Sequence, residues 1–100
     1  MEKLTIPPAV QQKLVAILSA LFPEAKIYLY GSFATGKARP YSDIDIALDA
    51  GTRMDQRRLS EARSMLQESS IPYSIDLVDV HAISPDMRQF ISQEWIVWKN

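Results

Sequence analysis

Cysteine is absent from this sequence of 100 residues, and histidine occurs only once. Without thiols the chain has no disulfide bond, no thiolate zinc site and no cysteine nucleophile. A single histidine also excludes a zinc site or a catalytic pair built on histidines. That residue, His81, follows a predicted strand and is interpreted as a turn residue. Two large classes of catalytic and metal site are thus removed.

An excess of positive charge is also missing, because 11 Lys and Arg residues are set against 12 Asp and Glu residues. Domains that hold nucleic acid through bulk charge are usually basic, so nucleic acid is not an expected partner. The arginines on and before the predicted middle helix are too sparse to change this. A solvated helix face is the default interpretation of Arg53, Arg57, Arg58 and Arg63.

Long hydrophobic runs are missing as well. The longest mostly apolar run, from Leu14 to Phe22, has about half of the ~20 residues that a membrane span needs. The start Met-Glu-Lys, with Pro7 and Pro8 soon after it, is not typical of a secretory leader. We therefore expect a cytoplasmic protein that makes no use of a membrane. The length predicts one domain, residues 1–100, whose chemistry comes from a compact site or depends on a partner.

Proline, glycine and hydrophobic spacing divide the chain into helices and strands. The predicted helices cover residues 8–22, 55–69 and the stretch after Ser84, and the predicted strands cover residues 26–30, 43–48 and 74–80. The link between the first two strands has room for at most one helical turn. Residues 95–98 either finish the last helix or form an edge strand, and Trp95 and Trp98 are either core or a patch for a partner. This order predicts an α/β (α+β) fold with a small mixed sheet of three to four strands flanked by helices.

Two aspartates, Asp43 and Asp45, open the second predicted strand. Because side chains alternate along a strand, both point to one face, with their Cα atoms about 6.5–7 Å apart. Two carboxylates on one face repel each other unless a cation lies between them. Mg²⁺ usually takes one or two carboxylates together with substrate phosphates. For an isolated Asp-x-Asp, however, a solvated strand face is the commoner interpretation.

The dipeptide Gly31-Ser32 directly follows the first predicted strand. Glycine lets the backbone approach a ligand, and N–H groups with a serine hydroxyl can hold phosphate oxygens. Alone it is more often an ordinary turn. In combination, a phosphate-holding turn ends one strand, an acid pair opens the next, and Asp76 on the third strand could complete a metal site. A two-metal site of this kind supports phosphoryl or nucleotidyl displacement.

Residues 31–36 (GSFATG) and 42–48 (SDIDIAL) resemble the nucleotidyltransferase superfamily that includes DNA polymerase beta and kanamycin nucleotidyltransferase. The spacing and the short chain look most like the minimal nucleotidyltransferases, small prokaryotic proteins often paired with a HEPN-domain partner. The resemblance covers most of the chain. It implies the nucleotidyltransferase fold, ATP as the donor and two Mg²⁺ ions as cofactors. It also implies that the protein is the antitoxin of a nearby-encoded HEPN toxin, adenylylating a hydroxyl of that toxin with release of pyrophosphate.

The resemblance also implies roles for single residues. Asp43 and Asp45 would bind both metal ions, and Asp76 would hold the catalytic metal and help to deprotonate the incoming hydroxyl. Gly31 and Ser32 would bind the β- and γ-phosphates of the nucleoside triphosphate. Ser42, the serine before the acids, joins them as a nucleotide-binding residue.

One position departs from the family pattern. Many of these proteins carry an arginine just before the second glycine of the turn, where this chain has Thr35. Lys37 or Arg39 would have to supply that positive charge, and without it the binding of triphosphate would be weak. An alternative function is therefore a catalytically weak or inactive nucleotide-binding module that neutralises its partner by stoichiometric complex formation. A sugar transferase with an Asp-x-Asp motif would not explain Gly31-Ser32.

Two further aspartates compete for the third ligand position. Asp79 lies on the opposite face of its strand from Asp76, so the two cannot serve together, and the choice of Asp76 depends on the resemblance. Asp49 shares the face of Asp43 and Asp45 but lies at the far end of the strand. It is interpreted as a turn residue.

Overall fold

The computed structural model describes residues 4–100, in which helices and strands follow one another in the predicted order. The elements are α1 Pro8–Leu21, β1 Lys26–Tyr30, α2 Ser32–Thr35, β2 Ile44–Asp49, α3 Gln56–Glu68, β3 Ile75–Asp79, α4 Pro85–Ser92 and β4 Ile96–Lys99. The link between the first two strands contains one helical turn, as expected. The chain forms an edge strand from Ile96, so these apolar residues do not continue the last helix. The interpretation of Met-Glu-Lys concerns residues outside the described part.

The helix boundaries follow from capping residues. Asp55 precedes α3, and its carboxylate accepts a hydrogen bond of 2.8 Å from the backbone N–H of Arg57. Ser84 caps α4 in the same way, because its hydroxyl accepts a hydrogen bond of 3.1 Å from the N–H of Met87. Pro85 occupies the first helical position. Such side chains satisfy N–H groups that the first helical turn leaves without partners. No helix among residues 4–100 is both long enough and apolar enough to cross a membrane.

The strands form one mixed sheet with the order β3-β2-β1-β4. Strand β1 is antiparallel to both β2 and β4, whereas β2 and β3 are parallel and are joined through α3. A parallel pair needs a long crossover of this kind, while antiparallel strands can be joined by a short link. The predicted small mixed sheet is thus confirmed, with four strands.

The two faces of the sheet are covered unequally. Helices α1 and α3 cover one face, where the main hydrophobic core includes Leu14, Leu18, Ile27, Ile44, Ile46, Leu48, Leu59, Leu66 and Leu77. On the other face, Tyr28, Tyr30 and Ala47 form a smaller cluster with Ile91 of α4. This face is not fully covered, because Asp76, which lies in the same row as Tyr30, is exposed.

Both tryptophans are partly buried and pack against these clusters. The ring of Trp95 stacks on Tyr28, with 3.9 Å between ring centroids and 7° between planes. Trp98 packs against the main core. Both side chains therefore contribute to the packing of the domain.

Candidate active site

Three residues from neighbouring strands lie in one row at the open end of the sheet. Strand register pairs Tyr30 of β1 with Asp45 of β2, and Asp45 with Asp76 of β3. Adjacent strands are about 4.8 Å apart, so side chains in such a row on one face are direct neighbours. Asp43 lies just before β2 and is exposed. The fold thus brings the three predicted metal ligands to the same end of the sheet.

The electrostatics of this row reflect crowded negative charge. Partial burial, together with the charges of Asp76 and Asp43, raises the pKa of Asp45 to about 6. The hydroxyl of Tyr30 donates a hydrogen bond of 3.4 Å to Oδ2 of Asp76. Burial and the same carboxylates, Asp76 and Asp45, raise the pKa of Tyr30, so its hydroxyl keeps its proton. A bound cation would relieve the repulsion among the carboxylates.

Gly31 and Ser32 connect this row to α2. Gly31 has φ 75° and ψ −155°, a conformation that is essentially restricted to glycine. A Cβ atom there would lie 2.9 Å from Cγ of Asp45, so only glycine lets this backbone approach that carboxylate. The turn is closed by hydrogen bonds from the N–H groups of Ala34 and Thr35 to the carbonyl of Gly31, each 3.1 Å. The predicted phosphate-binding turn is therefore in contact with the acid pair.

The loop before Asp43 is held by Ser42. Its hydroxyl accepts a hydrogen bond of 2.8 Å from the N–H of Arg39, and its own N–H donates to the carbonyl of Arg39 at 2.9 Å. Ser42 thus fixes the loop that leads into the acid pair. A direct contact of Ser42 with nucleotide stays a prediction.

Thr35, the residue that departs from the pattern of the resembled family, lies at the end of α2. Its hydroxyl lies 3.4 Å from the carbonyl of Ser32. Lys37 lines a cavity together with Tyr30 and Gly31. Of Lys37 and Arg39, the two candidates for the missing positive charge, Lys37 therefore lies near the turn at Gly31.

Asp79 is structural. It is 2% exposed, and its carboxylate accepts hydrogen bonds from the N–H groups of Met54 at 2.8 Å and His81 at 2.9 Å. It belongs to the face opposite Asp76, as strand alternation predicts, and it anchors the loop before α3.

Asp49 and His81 are turn residues, as interpreted from the sequence, but they also pair with each other. The carboxylate of Asp49 accepts a hydrogen bond of 2.9 Å from the N–H of Gly51, and its Oδ1 lies 2.7 Å from Nε2 of His81. Partial burial opposes ionisation of Asp49. The hydrogen bonds from Gly51 and His81 and the charges of His81 and Lys26 outweigh burial and lower its pKa. This pair lies at the end of the sheet away from the row of Asp45.

The donor set fits a hard divalent cation that shares its coordination with substrate. Among residues 4–100, no three side chains of His, Cys, Asp or Glu already form a metal-binding cluster. Asp43, Asp45 and Asp76 nevertheless bring carboxylates to one end of the sheet, and the charges of Asp76 and Asp43 disfavour ionisation of Asp45. Mg²⁺ typically takes one or two carboxylates and completes its shell with water and phosphate oxygens. A few carboxylates therefore suffice for such a cation, since water and phosphate oxygens complete its shell.

Sequence reasoning missed two contributions to this region. Tyr30 has no role in the sequence-based prediction, because its position beside Asp45 depends on the register between β1 and β2. Helix α4 carries no recognised motif, yet its residues Met87, Phe90 and Ile91 line the cavity that begins at Tyr30 and Gly31.

Comparison with known proteins agrees with this geometry. A family model described as "Polymerase beta, Nucleotidyltransferase" matches residues 12–99. The probable protein adenylyltransferase MntA of Haemophilus influenzae is 32% identical over 81 residues, which cover 81% of this chain and 71% of that protein. Members of this family generally use ATP and divalent metal ions.

Solved structures give the same result. A crystal structure of a toxin-antitoxin with AMP-PNP is 29% identical with a TM-score of 0.77, covering 88% of this chain and 71% of that chain. A tri-AMPylated Shewanella oneidensis HEPN toxin in complex with MNT antitoxin matches at 26% identity and a TM-score of 0.72, with 90% and 69% covered. These findings confirm the resemblance and the fold expected from the sequence. The chain belongs to the polymerase beta nucleotidyltransferase family.

Proposed function

We propose that this chain is an Mg²⁺-dependent adenylyltransferase, transferring AMP from ATP to a hydroxyl group of a nearby-encoded HEPN-domain partner. The observation that carries the proposal is the row of Tyr30, Asp45 and Asp76, in which the Asp45 side chain lies against Gly31. Relatives named as protein adenylyltransferase and as MNT antitoxin of a HEPN toxin support this acceptor class. The protein then acts as the antitoxin of a toxin-antitoxin pair. A cytoplasmic location and a single functional domain over residues 1–100 belong to the same proposal.

Each residue of the site has a role in this reaction. Asp43 and Asp45 would hold both Mg²⁺ ions, and Asp76 would hold the catalytic one. When bound, the metal ions would neutralise charge on the triphosphate and on the attacking and leaving oxygens. Gly31 and Ser32 receive the β- and γ-phosphates, with Ser42 fixing the loop before the acids.

Proton transfer falls to Asp76. One of its carboxylate oxygens takes the proton of the acceptor hydroxyl, whose oxygen then forms a bond to the α-phosphorus. The bond between that phosphorus and the bridging oxygen of pyrophosphate breaks. Tyr30 keeps its own proton and donates to Oδ2 of Asp76, which orients that carboxylate.

Label transfer from ATP tests the proposal. The chain is incubated with its HEPN partner, Mg²⁺ and ATP labelled at the α-phosphate, and the partner is examined for covalent label. We expect transfer by the unmodified chain, loss of transfer in Asp43→Asn and Asp45→Asn, and loss on chelation of the metal. Asp49→Asn is the matched control, since Asp49 lies on the same strand but pairs with His81 at the other end. It should keep transfer.

A second function is favoured by Thr35, since its side chain cannot supply the positive charge of an arginine. In that case the chain neutralises its partner by binding alone. A tight complex with no label transfer, unchanged in Asp43→Asn and Asp45→Asn, would establish this function and overturn the enzymatic one.

A further inference from the structure

The row of site residues has one end that is free of the donor-binding turn. Tyr30, Asp45 and Asp76 follow one another across β1, β2 and β3, and β3 is an edge strand of the sheet. Gly31, which follows β1 and is assigned to the donor phosphates, lies against Asp45. Asp76 is exposed, and no strand among residues 4–100 lies beyond it. With the donor on the β1 side, the outer edge of β3 is the side that remains for the acceptor.

Arg63 of α3 lies at this outer edge. Backbone hydrogen bonds join the carbonyl of Ser74 and the N–H of Val80 to β2. Because backbone groups alternate in direction along a strand, those of Leu77 face away from β2. The guanidinium of Arg63 donates a hydrogen bond of 2.6 Å to the carbonyl of Leu77. This bond places a positive charge at the sheet edge, one residue along the strand from Asp76.

The charge of Arg63 has no ionic partner in the described part of the chain. The ion pairs between residues 4 and 100 are those of Arg58 with Glu24 and of His81 with Asp49. The bond to the β3 carbonyl uses one N–H group of a guanidinium that carries several, all of them donors. The remaining groups are therefore available to an anionic ligand.

A recess beside Arg63 lies next to the start of β3. It has a volume of about 380 Å³, and its lining residues, none of which is acidic, are Arg63, Leu66, Gln67, Tyr73, Ser74 and Ile75. Ser74 and Ile75 directly precede Asp76, so the recess adjoins the reaction centre on the acceptor side. A guanidinium suits a carboxylate there, because its planar N–H groups can bind both carboxylate oxygens.

We propose that Arg63 binds a carboxylate side chain of the acceptor protein, close to the hydroxyl that receives AMP. This inference rests on the proposed function and deepens it by naming a feature of the acceptor. An extended acceptor segment presents its hydroxyl to Asp76, while a neighbouring Asp or Glu of that segment reaches Arg63. Because an extended chain advances about 3.3 Å per residue, this acid lies within about three residues of the hydroxyl. Arg63 then serves the acceptor and has no contact with ATP.

Steady-state label transfer to the HEPN partner tests this proposal, with KM measured separately for the partner and for ATP. Arg63→Gln should raise the KM for the partner about fivefold, the upper limit for an exposed ion pair, and Arg63→Glu should raise it at least about tenfold. Arg63→Lys keeps the charge and should have a smaller effect than Arg63→Gln. The KM for ATP should stay unchanged in all three variants. Added salt should raise the KM for the partner more in the unmodified chain than in Arg63→Gln.

Arg57→Glu is the matched control, because it makes the same change of charge on an exposed residue near the start of the same helix. It should leave both KM values unchanged. A purely structural role of Arg63, through its bond to Leu77, would lower the unfolding free energy without separating the two KM values. Equal KM values for the partner in Arg63→Glu and Arg57→Glu would overturn the proposal, as would an equal rise in the KM for ATP.

The acidic residue itself is identified on the partner. Mass spectrometry maps the labelled hydroxyl, and each Asp or Glu within about three residues of it is replaced by lysine. One such partner variant should be a better acceptor for Arg63→Glu than for the unmodified chain, and a labelled segment without any acid would contradict the proposal. No label from the unmodified chain would count against the proposed function instead. Calorimetry of the complex would then still test Arg63, since Arg63→Glu should weaken it more than Arg57→Glu.

Discussion

Gly31, in the turn after β1, lies directly against the side chain of Asp45 in β2. A Cβ atom on Gly31 would lie 2.9 Å from Cγ and 3.1 Å from Cβ of Asp45, and closer still to Oδ2. The backbone of Gly31 is also held at φ 75°. The glycine of the turn and the second aspartate of the acid pair therefore depend on each other sterically. In the sequence they appear as two separate short motifs.

Replacing Gly31 by alanine should damage both stability and the reaction. The new methyl group cannot occupy its position unless the Asp45 carboxylate moves, and alanine disfavours this backbone conformation at a cost of order 1–3 kcal/mol. Label transfer should fall by about 100-fold, since small misplacements in a reaction centre have effects of this size. Urea unfolding and the label-transfer assay measure the two effects.

Gly51→Ala is the matched control for this prediction. Gly51 also has a positive φ, 84°, but a Cβ atom there would have nothing within 4 Å. We expect a loss of about 1–2 kcal/mol in unfolding free energy from the left-handed backbone, with full transfer activity. Equal activity losses in the two variants would show that the contact between Gly31 and Asp45 has no role.

Asp45→Asn should stabilise the fold at neutral pH while abolishing transfer. The fold raises the pKa of Asp45 from 3.8 to about 6, through burial first and then through Asp76 and Asp43. The folded state therefore prefers the protonated carboxyl, and stability falls as pH rises from 3.8 to about 6. Asparagine removes this penalty. Because the site is half-exposed and screened, we expect a gain of roughly 1 kcal/mol at pH 7.

The pH dependence provides the check. As pH falls through 3.8, the Asp45 carboxyl becomes protonated in the unfolded state as well as in the folded state. The difference in unfolding free energy between Asp45→Asn and the unmodified chain should therefore shrink toward low pH. Thermal unfolding of the metal-free protein from pH 3.5 to 7.5 measures it. A variant less stable than the unmodified chain at pH 7 would contradict the repulsion among the three carboxylates.

Asp49→Asn should destabilise the fold at neutral pH, the opposite of the effect expected for Asp45→Asn on the same strand. Burial is outweighed there by hydrogen bonds from Gly51 and His81 and by positive charge, so the pKa of Asp49 is lowered from 3.8. Its ionisation therefore stabilises the fold above pH 3.8, and this stabilisation is lost as pH falls below that value. Asparagine keeps an oxygen for the N–H of Gly51 but loses the charge. We expect a loss of about 0.5–1 kcal/mol at pH 7, measured by urea unfolding.

The elements of the fold were predictable because their signals are local. Pro8 and Pro85 lie at the first positions of helices, Ser84 is a cap, and Gly31 ends a strand. Alternation also placed Asp76 and Asp79 on opposite faces. The row of Asp45 and Asp76 was not predictable from local signals, because a parallel register is set by how α3 and the core pack between distant strands.

The contacts of the loops and of α4 could not be predicted from local sequence signals, because they join residues that are distant in the sequence. Asp49 and His81 were each interpreted as turn residues, but their pairing needs the parallel ends of β2 and β3 side by side. Met87, Phe90 and Ile91 share hydrophobic spacing, which cannot tell a buried stripe from the wall of a cavity. The structure buries Ile91 and leaves Phe90 exposed.

Tyr30→Phe should lower turnover without unfolding the domain. The buried ring is retained, and only the hydroxyl that donates a hydrogen bond of 3.4 Å to Oδ2 of Asp76 is removed. Loss of one such hydrogen bond changes stability by about 1 kcal/mol or less. Without it the Asp76 carboxylate is less well oriented for the acceptor proton. We expect kcat for transfer to fall about tenfold, a modest fraction of what proton transfer by a positioned side chain contributes. The KM for ATP should stay unchanged.

Tyr28→Phe is the matched comparison, because Tyr28 lies on the same strand and face and its ring stacks on Trp95. That variant should keep both kcat and KM. Since each change removes one hydroxyl from a buried tyrosine of β1, a difference between the two measures the contact with Asp76 rather than packing. Equal kcat values in both variants, with folding intact, would assign Tyr30 to the hydrophobic cluster alone. The orientation of Asp76 would then have to come from the metal ions and the acceptor.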